Sequence, residues 1–192
     1  MFYINGGIFT ELPFRTVLPD GRTRTSLHEL SEAQLAELGV FPCDEVKPEK
    51  TWAQYYGTPS VTVENGRATA VYPVVDYSSA DADRILEEAK VRKRGEIAAA
   101  RFEAETAGID GIKTDRESQA LITGAALKAM QDEKYSCRWK TESGFVELSA
   151  LQISAVADAV RAHVQGCFDR EAELLPLIEA ATSPEELEAI VW

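Results

Sequence analysis

The sequence has few of the residues that metal sites and disulfide frameworks require. Its 192 residues include three cysteines and two histidines. Cys43, Cys137 and Cys167 are odd in number and far apart, so we expect reduced thiols and no disulfide framework. Neither His28 nor His163 has another histidine or a cysteine at the spacing of zinc ligands. We therefore predict no metal site.

Long apolar runs and an excess of positive charge are also lacking. No run of eighteen or more apolar residues occurs, which predicts no transmembrane helix. Residues 1–14 lack the basic start and apolar core of a secretory signal, so we expect an intracellular protein. With 32 acidic and 20 basic side chains, the net charge is −12. Such a chain repels polyanions, so we predict no nucleic-acid partner and no membrane partner.

The familiar signatures of catalysis are lacking as well. The sequence contains no G-x-S-x-G elbow, P-loop, G-x-G-x-x-G or H-E-x-x-H motif. The cluster of Asp110, Asp115, Arg116 and Glu117 could supply paired carboxylates for acid–base chemistry. Acids at a helix start also satisfy free N–H groups and complement the helix dipole, which explains the cluster without a substrate. We therefore predict no enzyme activity, no catalytic residue and no cofactor.

Two turn signals near the N-terminus predict β-hairpins. Pro19-Asp20-Gly21 lies between runs of Thr, Val and Arg within residues 14–25. Proline presets φ, aspartate bonds its own backbone and glycine accepts positive φ, so this tripeptide is typical of a hairpin turn. Asn65-Gly66 separates residues 61–64 from residues 67–75, and Asn-Gly between alternating residues is a strong hairpin signal.

A short helix and an aromatic strand complete the predicted N-terminal unit. Ser31 and Gln34 have capping-box spacing and Gly39 stands where a helix stop is expected, so residues 31–38 predict a helix. Residues 52–56, WAQYY, predict a strand. Residues 1–77 thus form, by this interpretation, a small β-rich unit.

Residues 78–192 predict a mainly helical domain. A proline-free stretch rich in Ala, Glu, Lys and Arg predicts one helix from Ser79 to about Thr106, ended by two glycines. Capping-box spacing at Thr114–Glu117 predicts the start of a second helix, to Met130. The cations of residues 90–94 are flanked by Glu87, Glu88 and Glu96. Glu88 is the expected i,i+4 partner of Arg92, and the segment predicts a solvated, ion-paired helix face.

The rest of this domain is predicted to be a hairpin and two more helices. Residues 135–148 predict the hairpin, turning at Glu142-Ser143-Gly144, with Trp139 and Phe145 facing each other. Ser149 with Gln152 begins the longest helix, to about Ala181, and Ser183-Pro184 begins a short one that reaches Trp192. The predicted apolar stripe of the long helix comprises Ile153, Val156, Val160, Val164, Phe168, Leu175 and Ile178. The predicted fold class is α+β: a β-rich unit over 1–77, then a helical domain over 78–192 with a hairpin near 135–148.

An aromatic cluster and three arginines are the candidate partner-binding residues. The aromatic residues of residues 52–77 could fill the interior, form a protein interface or stack on sugars, and these alternatives stay open. Arg15, Arg22 and Arg24 could add polar contacts at one hairpin. The candidate site residues are therefore Trp52, Tyr55, Tyr56, Arg15, Arg22 and Arg24.

Four blocks of the C-terminal half carry a family resemblance: RGEIAAARFEAE (94–105), TDRESQALITGAAL (114–127), YSCRWKTESGFVEL (135–148) and AVRAHVQGCFDREAELL (159–175). In order and spacing they resemble a C-terminal domain of unknown function in proteins encoded beside the tail-fibre genes of bacteriophages and prophages. The RTVLPDGRTRT hairpin and the WAQYYG segment resemble the N-terminal parts of such proteins.

The resemblance implies a non-enzymatic tail protein whose partner is the phage tail-fibre protein. One expectation is an assembly factor, or chaperone, that acts in the host bacterial cytoplasm and binds the fibre while it folds. The alternative is a permanent structural component of the virion tail, such as a connector or fibre-tip cap. A carbohydrate-binding module and a homo-oligomer are further expectations that the residues leave open.

Overall fold

A computed structural model, which describes residues 1–141 and 144–192, divides the chain into two compact units, Met1–Ala82 and Asp83–Trp192. The N-terminal unit is rich in β-strands, and the C-terminal unit is mainly helical with one hairpin, so the predicted α+β class is confirmed.

Five strands of the N-terminal unit form one mixed sheet. They are β1 (Phe2–Ile4), β2 (Gly7–Phe9), β5 (Val40–Val46), β7 (Ser60–Glu64) and β8 (Arg67–Val71). The strand order is β2-β1-β5-β8-β7, and only the β5–β8 pair is parallel. β7 and β2 are therefore the outer strands.

Four more strands form two separate ribbons, each antiparallel. β3 (Arg15–Val17) pairs with β4 (Thr23–Thr25), and β6 (Gln54–Tyr56) pairs with β9 (Val74–Asp76). The ribbon β3–β4 is the hairpin predicted over 14–25, and β6 falls within the predicted aromatic strand. Both predictions are confirmed.

Local signals explain the turns and the short helix of this unit. Asn65 and Gly66 have φ of 51° and 77°, the left-handed pair that a two-residue hairpin needs. The helix α1 (Glu32–Glu37) begins with a reciprocal capping box between Ser31 and Gln34, as predicted. Gly39, with φ of 72°, follows the helix end, as expected.

The core of the N-terminal unit consists of two small clusters. In one, Ile4, Leu18, Leu27, Leu35 and Val40 are buried together. In the other, Cys43 packs with Ala68 and Ala70, so the parallel β5–β8 pair is joined by small side chains. Burial raises the pKa of the Cys43 thiol, which therefore stays protonated.

The C-terminal unit contains two long helices, two shorter ones and a hairpin. The helices are α2 (Ser79–Thr106), α3 (Arg116–Gln131), α4 (Ala150–Ala180) and α5 (Pro184–Glu188). The hairpin strands are β10 (Ser136–Thr141) and β11 (Gly144–Ser149). Of the predicted turn, Glu142 and Ser143 lie outside the described residues. The long helices and the hairpin are confirmed, whereas α5 ends at Glu188, before the predicted end at Trp192.

The predicted capping box at Thr114 and Glu117 is wrong. The N-cap of α3 is Asp115, whose carboxylate accepts the Ser118 N–H at 3.0 Å. Thr114 is instead fully buried, accepts the Gly108 N–H at 2.9 Å and donates to the Glu105 carbonyl at 2.5 Å. Its hydroxyl closes the loop between α2 and α3, a role that spacing in the sequence does not reveal.

Two side-chain predictions are also corrected. Trp139 pairs with Val146 in the hairpin register, and Phe145 pairs with Lys140, so Trp139 and Phe145 do not face each other. On α4, Phe168 is 42% exposed and lies outside the buried stripe. The residues of α4 that are buried are Ala150, Ile153, Val160, Cys167, Leu174 and Ile178.

Polar side chains link α2 and α4 between two apolar clusters. At one end Ala89 and Ile97 pack with Ile178, and at the other Ala129 packs with Ile153. Between these clusters the Arg101 guanidinium donates hydrogen bonds to the carboxylate of Glu105 and, at 3.0 Å, to that of Glu171. The guanidinium also lies 4.6 Å from the centre of the Phe168 ring. We call Arg101, Glu105 and Glu171 the buried ionic triad.

Candidate partner-binding surface

The most exposed of the predicted aromatic residues is Tyr55 on β6. Its ring lies against Tyr77, with centroids 4.9 Å apart and planes tilted by 36°. Tyr55 keeps 40% of its surface exposed. The ribbon holds it in place, because Gln54 pairs with Asp76 and donates to its carboxylate at 2.7 Å. Tyr55 and Tyr77 therefore form a rigid, partly open aromatic pair.

Tyr56 has a structural role. It follows Tyr55 on the strand, so its side chain points to the other face of the ribbon. Its hydroxyl donates to the Pro48 carbonyl at 2.7 Å, and its ring meets Tyr72 edge-on at 6.1 Å. These contacts occupy Tyr56 within its own unit, which favours the interior alternative for this residue.

Charged groups surround Tyr72 and hold it in place. The Tyr72 hydroxyl donates to Glu45 at 2.7 Å, and Lys47 lies 4.8 Å from the ring centre and 2.6 Å from the same carboxylate. The bond from Lys47, followed by that from Tyr72, lowers the pKa of Glu45, while donation to Glu45 raises the pKa of Tyr72. This cluster fixes the segment after β5.

Trp52 precedes β6 in a turn and is half-buried. The backbone around it is anchored, since the Tyr77 N–H donates to the Ala53 carbonyl at 2.9 Å and the Thr51 N–H donates to the Gln54 side chain at 3.0 Å. Trp52 thus combines a partly exposed ring with a well-ordered backbone, which suits an anchor residue.

The three arginines do not form one patch. Arg22 is occupied by Asp20, to which its Nε donates at 2.7 Å, and this bond lowers the pKa of Asp20. Arg15 pairs with Thr25 and Thr16 pairs with Arg24 across the β3–β4 ribbon. Because adjacent pairs point to opposite faces of a ribbon, Arg15 and Arg24 lie on opposite faces.

The six predicted residues therefore belong to two ribbons. Trp52, Tyr55 and Tyr56 lie on or beside β6, and the arginines lie on the β3–β4 hairpin. Their role in binding stays a prediction.

The outer strand β7 is a further candidate binding element, and sequence reasoning did not single it out. Its partner β8 lies on one side, and within residues 1–141 and 144–192 no strand pairs with the other side. Val63 is opposite buried Ala68 and is 41% exposed, so the apolar face of the sheet continues to its rim. The alternation in SVTVE predicts a half-buried strand, but nothing in it distinguishes an outer strand from a central one.

Within the acidic cluster near α3, Asp115 has the helix-capping role that acids at a helix start predict, although not through the predicted Thr114–Glu117 box. One carboxylate oxygen of Asp115 accepts a hydrogen bond from the Ser118 N–H, and the other accepts one from the Ser118 hydroxyl. These bonds lower the pKa of Asp115. A cleft of about 610 Å³ between the start of α3 and the hairpin is lined by Lys113, Arg138 and Lys140 but also by Asp115 and Glu117. These mixed charges indicate no ligand class.

The cations of residues 90–94 form ion pairs, as predicted, but with partners other than the one expected. Lys93 binds Glu96 at 2.8 Å, and Arg94 binds Glu87 at 2.7 Å. Glu88, the expected partner of Arg92, instead binds Arg84 at 3.0 Å. The segment is therefore ion-paired, as predicted, but only partly solvated, because Lys90 and Arg94 bond Glu179 on α4 and the Lys93 side chain is 16% exposed.

The described residues contain neither a cluster of metal-binding side chains nor a helix that could span a membrane. Across residues 1–141 and 144–192, no three His, Cys, Asp or Glu side chains are grouped so that they could hold a metal ion. No helix in the same ranges is long and apolar enough to cross a membrane.

Comparison with known proteins gives one match. The model of a family described as "Domain of unknown function (DUF4376)" matches residues 88–191, just over half of the chain, and the chain belongs to that family. Neither the curated proteins nor the solved structures gave a match.

Proposed function

We propose that this member of the DUF4376 family is a non-enzymatic bacteriophage tail protein that acts as a tail-fibre assembly factor. Trimeric β-fibres fold slowly and expose unpaired strand edges until their subunits meet. A factor that adds a strand to such an edge would protect it from aggregation. The resemblance of the four C-terminal blocks and of two N-terminal segments to tail-fibre-associated proteins supports this context.

The observation that carries the proposal is the open edge of β7. Strand addition needs an outer strand with free backbone groups and side-chain contacts along its face. β7 offers this edge, and its exposed Val63 extends the apolar face that Ala68 and Ala70 form on β8. Tyr55 and Trp52 are anchors in the same unit, in accord with the frequent use of Tyr and Trp at interfaces.

The test is co-expression of the chain with the fibre protein encoded beside it, followed by size-exclusion chromatography with light scattering. We expect a stable complex and loss of soluble fibre when the chain is omitted. If the fibre folds equally well alone and the two proteins never co-elute, the proposal fails.

One substitution pair tests the edge itself. Val63→Lys places a charge at the rim of β7, which blocks strand addition, and should abolish co-elution. Val71→Lys is the matched control, because Val71 is similarly exposed (40%) but lies on the inner strand β8. Equal loss of binding in both variants would contradict a role for the β7 edge.

The second candidate is a permanent component of the virion tail, and it rests on the same resemblance. The two candidates predict different locations for the protein after assembly is complete. An assembly factor acts in the host cytoplasm and is absent from finished particles, whereas a connector or tip cap is present at fixed stoichiometry. Quantitative mass spectrometry of purified particles distinguishes them.

A further inference from the structure

The helix α2 carries an apolar stripe on the side away from its core contacts. Val91, Gly95, Ala98 and Phe102 follow one another at steps of four, three and four residues, which places them on one helix face. Val91 is 56% exposed and Phe102 is 48% exposed. At 3.6 residues per turn, Ala89 points to the opposite side, where it packs with Ile97 and α4.

Two features of this stripe suit close contact with another helix. Its ends are large and its centre is small, so a helix can approach at Gly95 and Ala98 while Val91 and Phe102 pack beside it. A Cβ at Gly95 would meet no atom within 4 Å, so no contact within the chain requires glycine there. A glycine in a helix interior destabilises the helix relative to alanine, and contact with a close neighbour would offset that loss.

The charges beside the stripe are self-complementary. Arg92 and Glu103 lie on the same flank, near opposite ends of the stripe. Neither forms an ion pair within 4 Å in the described part of the chain, although Arg92 helps Lys93 to lower the pKa of Glu96. The other cations near the stripe are occupied: Arg84 by Glu88, Lys93 by Glu96, and Arg94 by Glu87 and Glu179.

We propose that this stripe binds the same stripe of a second copy of the chain, with the two α2 helices antiparallel. A two-fold axis at the centre of the stripe then sets Val91 against Phe102 of the second copy and Gly95 against its Ala98. It also brings Arg92 to within about two residues, some 3 Å along the axis, of Glu103 in the second copy. The contact is isologous, as closed dimers require. This inference does not rest on the proposed function.

The first test measures the mass of the full chain alone by sedimentation equilibrium across a concentration series. We expect a monomer–dimer equilibrium. Arg92→Glu places a negative charge beside Glu103 of the second copy, and the dissociation constant of the dimer should rise at least tenfold. Arg92→Glu combined with Glu103→Arg reverses both charges and should restore it. Arg161→Glu is the control, since Arg161 is an exposed cation on α4 and its reversal changes the net charge equally.

The second test establishes the helix direction by oxidative cross-linking. Val91→Cys with Phe102→Cys in one chain should form a disulfide-linked dimer, whereas either single cysteine should not exceed the background of the wild type. Cross-linking of each single variant to itself would overturn the antiparallel arrangement. A monomeric wild type at all concentrations, or a double charge reversal that stays as weak as Arg92→Glu, would overturn the proposal.

Discussion

The two units keep their polar groups satisfied in different ways. In Met1–Ala82, the backbone pairs along short strands, the core consists of small clusters, and the ion pairs are largely exposed. In Asp83–Trp192, long helices satisfy their own backbones and bury the ionic triad between two apolar clusters. Within the described residues, the N-terminal unit therefore leaves the outer edge of β7 without a pairing strand, whereas the C-terminal unit buries a carboxylate, Glu105, that depends on a neighbouring cation.

The largest loss of stability is expected when the cation of the triad, Arg101, is removed. Arg101→Leu leaves the carboxylate of Glu105, which is 3% exposed, without its cation and should cost about 3–5 kcal/mol. Urea unfolding, with hydrogen exchange resolved by peptide, should show lost protection in α2 and α4. Arg84→Leu removes an exposed ion pair and should cost about 0–1 kcal/mol. Equal costs for the two variants would mean that the triad is not effectively buried.

In the N-terminal unit, a comparable loss of stability is expected from a substitution that leaves a cavity in the core. Leu27 is fully buried against Ile4 and Val40, so Leu27→Ala should cost about 2–5 kcal/mol. Phe14→Ala removes a larger side chain that is 72% exposed and should change stability by no more than about 0.5 kcal/mol. The free energy of unfolding from urea titrations decides between them, and a larger effect at Phe14 would contradict this core.

The loop that joins α2 to α3 should depend on one hydroxyl. Thr114→Val keeps the shape but leaves the buried Glu105 carbonyl and the partly buried Gly108 N–H without their partner, so we expect a loss of about 1–3 kcal/mol. Thr123→Val also removes a hydroxyl bonded to a carbonyl, but at an exposed site, and should change little. Thermal unfolding measures both variants.

A glycine-to-alanine substitution should lower the stability of the N-terminal unit at one position and raise that of the C-terminal unit at another. Gly66 has φ of 77°, so Gly66→Ala strains the hairpin and should cost about 1–2 kcal/mol. Gly166 lies inside α4 with open space around it, so Gly166→Ala should stabilise the helix by up to about 1 kcal/mol. A shift of the same sign in both would show that backbone conformation does not govern these sites.

The smallest expected effect is a pH dependence at the start of α3. Bonds from Ser118 lower the pKa of Asp115 below its ordinary value of 3.8, so its charge stabilises the fold above that pH. This stability is lost as the pH falls through the lowered pKa of the folded state. Asp115→Asn keeps a capping oxygen but not the charge, so its melting temperature should fall less than that of the wild type on acidification.

Elements with signals inside a few residues could be predicted, and those built from distant residues could not. The capping boxes at Ser31 and Ser149 and the Asn65-Gly66 turn could be predicted because the residues that form them are three apart or adjacent. The cap of α3 was misassigned because Thr114 and Asp115 both suit an N-cap. Only the contact of Thr114 with the end of α2 decided between them.

The candidate surface shows the same division. Aromatic residues at 52–56 could be picked out by composition, but which of them is free depends on contacts with residues far along the chain. Tyr56 is occupied by Pro48 and Tyr72, whereas Tyr55 stays partly open. The β7 edge could not be predicted, because the position of a strand in a sheet follows from the pairing of all the strands.

Local sequence patterns were sufficient to predict the helices, the hairpin turns and the α+β division of this protein, since φ/ψ preferences, caps and apolar periodicity act over short distances. They did not indicate the strands β1, β2 and β5, nor the division of the predicted strand 67–75 into β8 and β9. Tertiary structure alone decided the parallel pairing of β5 with β8, the open edge of β7, the burial of the ionic triad and the exposed stripe of α2. Each of these depends on which surfaces meet, and the free energy of burial is set by neighbours that no local pattern specifies.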